Sequence, residues 1–196
     1  MPVSPSTRLP NAALPATGRI LAAARELMAR GGAAEISIGD VAANAAVSKA
    51  LVHYHFHDKD SLLVALAEQI GRAVIARGTG ALDAPNEHVL DACWTGIENE
   101  LRAGDLRILL ALADYDSDRV RAVCRRLAGE RRDLVTAQIS EIFSRLGLSL
   151  RVPAELVAET VIAFTDGLTL AHALESERPT RPAFDVLWLA LLTLAE

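Results

Sequence analysis

Chemistry is most concentrated in the stretch HYHFHDKD, residues 53–60, which places three of the five histidines at alternate positions. On a β-strand His53, His55 and His57 would share one face and could converge on a metal ion. On a helix they do not, because at ~100° per residue His53 and His57 lie together while His55 points about 200° away. A metal-dependent hydrolase with a His-x-His site also needs further His and Asp ligands downstream. Only His88 and His172 remain in the rest of the chain. The flanking residues favour a helix, so a metal site is the minor reading and a structural or surface-facing role is preferred.

The elements around this stretch decide between those readings. Ile20, Ala23, Ala24, Leu27 and Met28 recur at helical spacing from Thr17, which is placed to cap the start; Gly31-Gly32 stops the run. Ser37 begins a short second helix with Val41, Ala42 and Ala45 on its apolar side. Asp40 stands where a capping box would carry Glu or Gln, so the box reads as imperfect. After Ala45-Ala46-Val47, Ser48 caps a third helix from Lys49 to about Phe56, with Val52 and Phe56 inward. Asp58 caps a fourth helix carrying Leu62, Leu63, Leu66 and Ile70, which closes near the Gly-rich stretch at 77–80.

Downstream the pattern stays helical. Val89, Leu90, Cys93, Trp94, Ile97 and Leu101 form one amphipathic face, and Gly104-Asp105 interrupts it before a short apolar segment, 106–113. Ser117 opens a long charged helix with Val120, Val123, Leu127, Leu134 and Ile142 inward, closing at Gly147. Pro153 starts another at its first turn, reaching about Glu175, and the last begins after Pro182. The expectation is an all-α chain of about nine helices without strands. Residues 1–16 hold four prolines and no period, and read as a loose tail.

Charge divides the chain as the pattern does. Residues 1–80 carry eight Arg/Lys against six Asp/Glu, a balance of +2; residues 81–196 carry twelve against nineteen, a balance of −7. The overall −5 therefore conceals a mildly basic first part, a hint of separate tasks. Two cysteines, Cys93 and Cys124, are too few for a disulfide framework and suit small buried groups in a reducing cytoplasm. No apolar run follows a basic start, so no signal peptide is expected. Nothing in the pattern calls for a cofactor or for catalysis.

Two short helices joined by a tight turn are the spacing of a helix-turn-helix, although any αα-hairpin imitates it. The longer stretch ILAAARELMARGGAAEISIGDVAANAAVSKALVHYHFHDKDSLLVAL is more specific. Through Ile20, Ala23-Ala24, Leu27, Gly31, Ser37, Val41-Ala42, Val47-Ser48-Lys49, Tyr54, Phe56, Lys59 and Leu62-Leu63 it resembles the DNA-binding domain of the tetracycline-repressor-like (TetR) family of transcription regulators. The resemblance covers residues 17–66. It implies an N-terminal three-helix helix-turn-helix domain, linked by a fourth helix to a helical effector-binding and dimerisation domain over 67–196. Three positions depart from the family pattern. Ala46 stands where Gly is usual, Ala50-Leu51-Val52-His53 where Gly then Thr-Leu-Tyr is common, and Gly39 where a basic residue is frequent. An operator sequence therefore does not carry over.

Helix faces assign the DNA contacts. Lys49, Ala50 and His53 share the exposed side of the third helix and are candidates for base edges, Lys49 toward guanine and Ala50 with Leu51 toward thymine methyls. Tyr54 and His55 lean toward phosphates, Lys59 adds charge at the start of the fourth helix, and Ser37 and Ser48 sit at helix N-termini suited to anions. For Tyr54, packing and phosphate contact weigh about equally; His57 reads as a surface or capping residue.

A +2 domain is feebly basic, and affinity comes mostly from phosphate neutralisation, so two copies on a palindromic double-stranded operator are expected. Residues 184–195, FDVLWLALLTLA, are apolar on nearly every side and too short to span a bilayer, which needs ~20 residues. With Val161, Ile162, Phe164, Leu168 and Leu174 they suit a four-helix bundle shared by a homodimer through the last two helices, or else an ordinary core. An unidentified small-molecule effector would be lined by Trp94, Ile97, Leu101, Leu109, Leu112, Tyr115, Val123, Leu127, Phe164, Leu168 and His172, each of which also suits plain core. Thr165, Asp166, Thr169 and His172 are polar groups needing partners, within the chain or across an interface. Arg119, Arg121, Arg125, Arg126, Arg131 and Arg132, interleaved with Glu130 and Asp133, read as a solvated face. The combined expectation is a cytoplasmic, ligand-responsive, non-enzymatic regulator of transcription with no membrane partner and with repression as its mode. The alternatives are the metal-dependent hydrolase and a helical interaction module that does not bind DNA.

Overall fold

The computed structural model describes residues 14–196, leaving aside the side chains at positions 34, 35, 80 and 81. The tail assigned to residues 1–16 thus lies almost wholly outside the described residues. Within them the fold is all-α: α1 (Ala16–Glu35), α2 (Ile38–Asn44), α3 (Lys49–Phe56), α4 (Lys59–Thr79), α5 (Val89–Ala103), α6 (Asp105–Ala113), α7 (Asp118–Arg145), α8 (Ala154–Leu174) and α9 (Arg181–Leu192). Two 3-10 turns, Gly80–Asp83 and Asn86–His88, fill the connection between α4 and α5. The chain divides into two compact units between Leu66 and Ala67, and α4 contributes residues to both.

In the first unit α1 packs on α2 and α3. Ile20, Ala24, Val41, Val52, Leu62, Leu63 and Leu66 are fully buried, the set that the helical spacing selects. The start of α1 differs from expectation. It begins at Ala16 behind Pro15, with no side-chain cap, so Thr17 lies inside the first turn. Proline suits that boundary because it lacks the N–H that would otherwise need a partner. Gly32, at φ +78°, interrupts the helix where the Gly pair reads as a stop, and a further turn follows it.

The second unit is built on one apolar cluster from α5, α7, α8 and α9: Val89, Ile139, Ile142, Phe143, Val157, Phe184, Trp188 and Leu191. Phe143 stacks on Trp188 at 6.2 Å and Phe184 meets the same ring at 6.1 Å. Gly104, at φ +70°, ends α5 and begins α6 in one residue, a left-handed corner that glycine takes without strain. Ser117 caps α7, its Oγ accepting from the Val120 amide. The last helix differs from expectation at both ends. It starts at Arg181 with Pro182 inside its first turn, and it stops at Leu192. Residues 193–196 then turn back, and Ser149 and Glu196 exchange backbone hydrogen bonds of 2.8 and 3.0 Å beside an isolated bridge, Leu150 to Ala195.

By length and composition α8 is apolar enough to cross a membrane. It carries Glu155, Glu159 and Asp166, however, and packs along α7 and α6. Its exposed leucines, Leu156, Leu170 and Leu174, together with Val186 and Leu189 of α9, are the most exposed of the large apolar side chains in the second unit.

Candidate nucleic-acid interface and effector cavity

α3 owes its form to a cap at each end and two anchors between. Ser48 Oγ accepts from the Leu51 amide at 3.1 Å, fixing the first turn. Val52 and Phe56, four apart, are buried, and this leaves Lys49, Ala50, His53, Tyr54 and His55 exposed. Tyr54 is 76% exposed, which removes the packing role and leaves its hydroxyl to solvent or a partner. His55 meets the Tyr54 ring edge-on at 5.2 Å. Leu51 is half-buried, as is Lys59 at the start of α4.

The helix ends on a strained residue. His57 has φ +60° and ψ −56°, and the Asp58 amide donates to the Phe56 carbonyl at 2.6 Å, closing a γ-turn of the rare hand. His53 Nδ1 lies 2.8 Å from the His57 carbonyl, so that nitrogen donates and Nε2 is the one turned outward. Asp58 Oδ1 accepts from the Ser61 amide and starts α4. The three histidines thus do separate things: His53 ties the turn, His55 packs on Tyr54 and His57 makes the corner. Among the described residues no group of three or more His, Cys, Asp or Glu is placed to hold a metal ion.

The N-terminus of α2 is closed more completely than expected. Asp40 substitutes for the usual Glu: its amide donates to Ser37 Oγ at 3.1 Å, and its carboxylate accepts from the Ser37 amide at 3.3 Å. The hydrogen bonds from Ser37 hold the Asp40 carboxyl below its ordinary range, with a smaller attraction from Lys49. Lys49 lies folded across Gly39. A Cβ at position 39 would stand 2.8 Å from Lys49 Cε and 3.0 Å from Nζ. Ala46, in the turn between α2 and α3, has φ +53°, the left-handed conformation that glycine takes at little cost.

Residues 20–66 match the family described as bacterial regulatory proteins, tetR family. The match lies within the first unit, over its helix-turn-helix. Over nearly its whole length the chain is similar in structure to a transcriptional regulator from Rhodococcus sp. Rha1, with 22% identity, a TM-score of 0.75, and coverage of 91% of this chain and 97% of that one. A fatty acid degradation regulator, FadR of Bacillus halodurans, aligns at 17% identity and a TM-score of 0.73, over 89% and 95% of the two chains. NalD of Pseudomonas aeruginosa, the secondary repressor of the MexAB-OprM multidrug efflux pump, aligns at 18% identity and 0.63, over 92% and 95%. At these identities the likenesses show the fold, which the three proteins share with this chain. No curated protein matches the chain.

In the second unit a cavity of about 150 Å³ lies among α4, α5, α7, α8 and α9, and none of its wall residues is exposed. Ile97 and Phe164 line it, as do Cys93, Gln138, Phe184 and Trp188. Leu109 and Leu127 line a second, larger recess of about 450 Å³ whose walls include exposed Leu110, Arg132, Glu159 and Ala163. Trp94, Leu101, Leu112, Tyr115, Val123, Leu168 and His172 line neither. Trp94 instead packs on Phe184 at 5.4 Å beneath the Arg181 guanidinium, and Leu112 is fully buried.

The cavity's polar wall is made of residues the helical pattern passes over. Arg77 donates through Nε and Nη2 to Glu100 at 2.8 and 2.6 Å, and through Nη2 to Asp105 at 2.6 Å. Burial works against its charge, but the bonds from Glu100 and Asp105 outweigh that and raise its pKa. Glu100 also accepts from the Leu106 amide at 2.7 Å. Arg131 is not part of a solvated face. Its side chain is 17% exposed and donates to Asp166 at 2.7 Å and Thr165 at 2.6 Å. Its position shows why, since 131 stands four after Leu127 and three before Leu134, on the inward side of α7. Thr165 and Asp166 therefore have partners within the chain, and Thr169 donates to the Thr165 carbonyl at 2.8 Å. Burial pushes the Cys93 thiol up to about 11, so it is a neutral wall group.

Proposed function

We propose that the protein is a cytoplasmic, ligand-responsive DNA-binding regulator of transcription, a repressor, that binds a palindromic operator as a homodimer and has no catalytic role. The observation that carries this reading is α3. Its anchors Val52 and Phe56 are buried, and Lys49, Ala50, His53, Tyr54 and His55 stand in solvent in the order that a reading helix needs. Lys49, Ala50 and Leu51 take base edges, His53 the adjoining edge through Nε2, and Tyr54, His55, Lys59, Ser37 and Ser48 the flanking backbone. Asp40 shares the N-terminus of α2 with Ser37, so the phosphate contact there is the weakest of the set.

Leu156, Leu170 and Leu174 of α8 and Val186 and Leu189 of α9 support pairing through the last two helices, because five large exposed apolar side chains on two neighbouring elements need cover. Repression is the mode named for NalD, which has the same fold. A ligand held in the second unit would favour one of two conformations that differ in DNA affinity. The test is an anisotropy titration of the full chain with DNA from upstream of its own gene. Specific binding that weakens steeply with salt is expected; absence of specific binding at low salt would sink the reading.

A further inference from the structure

The walls of the inner cavity restrict what it can take. Its three charged side chains are already matched within the protein. Arg77 is held by Glu100 and Asp105, and Arg131 by Asp166 and Thr165. Glu100 already accepts three hydrogen bonds, two from Arg77 and one from the Leu106 amide. An anion entering here would have to take a guanidinium from its carboxylate, and a cation would have to share a carboxylate whose acceptors are in use. Either would give up hydration without a free counter-charge, which is unfavourable against mostly apolar walls. The remaining polar wall groups are also engaged. Thr165 and Thr169 donate to helix carbonyls, and Gln138 Nε2 donates to the Gly78 carbonyl. Gln138 lines the cavity, so its amide oxygen is a candidate acceptor for a ligand.

Shape and size point the same way. Phe164, Phe184 and Trp188 are aromatic wall residues, and Ile97, Leu134 and Val135 are aliphatic ones. The volume is about 150 Å³. An apolar cavity of roughly that volume has room for a single benzene ring. Ring-on-ring packing at such walls adds to simple burial.

We infer that the inner cavity binds a small neutral aromatic molecule, one ring in size, with at most one hydrogen-bond donor directed at Gln138 Oε1. This rests on reading the second unit as the effector domain and names the chemistry of its ligand. Carboxylates, phosphates and ammonium compounds are excluded from this cavity by the closed ion pairs in its wall.

The experiment is a thermal-shift series on the full chain at pH 7 with phenol, toluene, benzoate and benzylamine, each over the same concentration range. Phenol and toluene are expected to raise Tm, by ~3–6 °C at ten times Kd. Phenol should bind more tightly than toluene, and benzoate and benzylamine should give no shift. Gly96→Leu, which adds a side chain at a wall position of α5, should abolish the phenol shift. Ile97→Phe fills the same space from the next residue and serves if the first variant is unstable. A benzoate or benzylamine shift as large as that of phenol overturns the inference, as does failure of both neutral rings, or a phenol shift that survives in a folded filling variant. DNA anisotropy is read separately. Loss of specific DNA binding with the neutral-ring pattern intact sinks the regulator reading and leaves the ligand assignment; the converse does the reverse.

Discussion

Ala46→Gly is expected to stabilise the first unit. At φ +53° the Ala46 backbone is left-handed, and its Cβ crowds the neighbouring carbonyl. That conformation costs an L-residue ~1–2 kcal/mol relative to the right-handed form, and glycine almost nothing. Ala46 is exposed, so no buried methyl is lost. Against the relief stands glycine's greater freedom in the unfolded chain, ~0.4–1 kcal/mol. The difference leaves a net gain of ~0.5–1 kcal/mol from these two terms. The full chain has two units, so a single melting curve would mix them. Native-state amide exchange at Val52 reports the first unit directly, because that amide donates to the Ser48 carbonyl inside α3. Its protection should rise about 2- to 5-fold, the equilibrium equivalent of that gain. A fall in protection would refute the argument, since unfolded-state entropy would then outweigh the strain at the turn.

Four further outcomes follow from the same geometry. His57→Gly relieves the γ-turn between α3 and α4 and should stabilise the first unit by ~1 kcal/mol while leaving DNA affinity unchanged; a large affinity loss would make His57 a contact. Ser48→Ala removes the acceptor for the Leu51 amide and should cost ~1 kcal/mol in the same exchange assay. Arg77→Met strands the buried carboxylates of Glu100 and Asp105, and chemical denaturation of the second unit should show a loss of ~3 kcal/mol. Cys93, pushed to about 11 from 9.0, carries ~100-fold less thiolate at pH 8 than an ordinary thiol and should resist iodoacetamide accordingly. Because its folded pKa lies above the unfolded one, its contribution to stability is complete below pH 9 and is lost as pH rises toward 11, a loss that Cys93→Ala should lack.

What could be read from the chain, and what could not, separates by the range of the interactions. The bounds of α3 and the caps Ser37, Ser48, Asp58 and Ser117 are local events, each made by a side chain reaching an amide three residues on. Their residue types announce them. Asp40 completing the box at α2 is the one cap underrated, because a shorter carboxylate than Glu still spans the distance. The polar wall of the cavity is non-local: Arg77 meets Glu100 across 23 positions, and Arg131 meets Asp166 across 35. No local pattern pairs such residues. Trp94 and Leu112 have the right character for a ligand wall, but helix packing turns one toward Phe184 and seals the other, and periodicity alone does not distinguish a wall from a core.

The Gly39 departure acquires a physical meaning in the same way. Read along the chain, it is the loss of a basic side chain from α2. In the folded unit it is the space into which the Lys49 stem lies, with Cε and Nζ where any Cβ at position 39 would collide. A side chain at position 39 would thus move the end of the Lys49 stem, and the positive charge missing from α2 is partly restored by the one that α3 folds over it. That placement also brings Lys49 toward the Asp40 carboxylate, so the charge available to DNA depends on how readily the stem swings away. Base reading by Lys49 requires breaking a weak, solvent-screened attraction, which costs little. The reach of the reading helix is thus governed by the absence of a side chain on its neighbour as much as by its own residues.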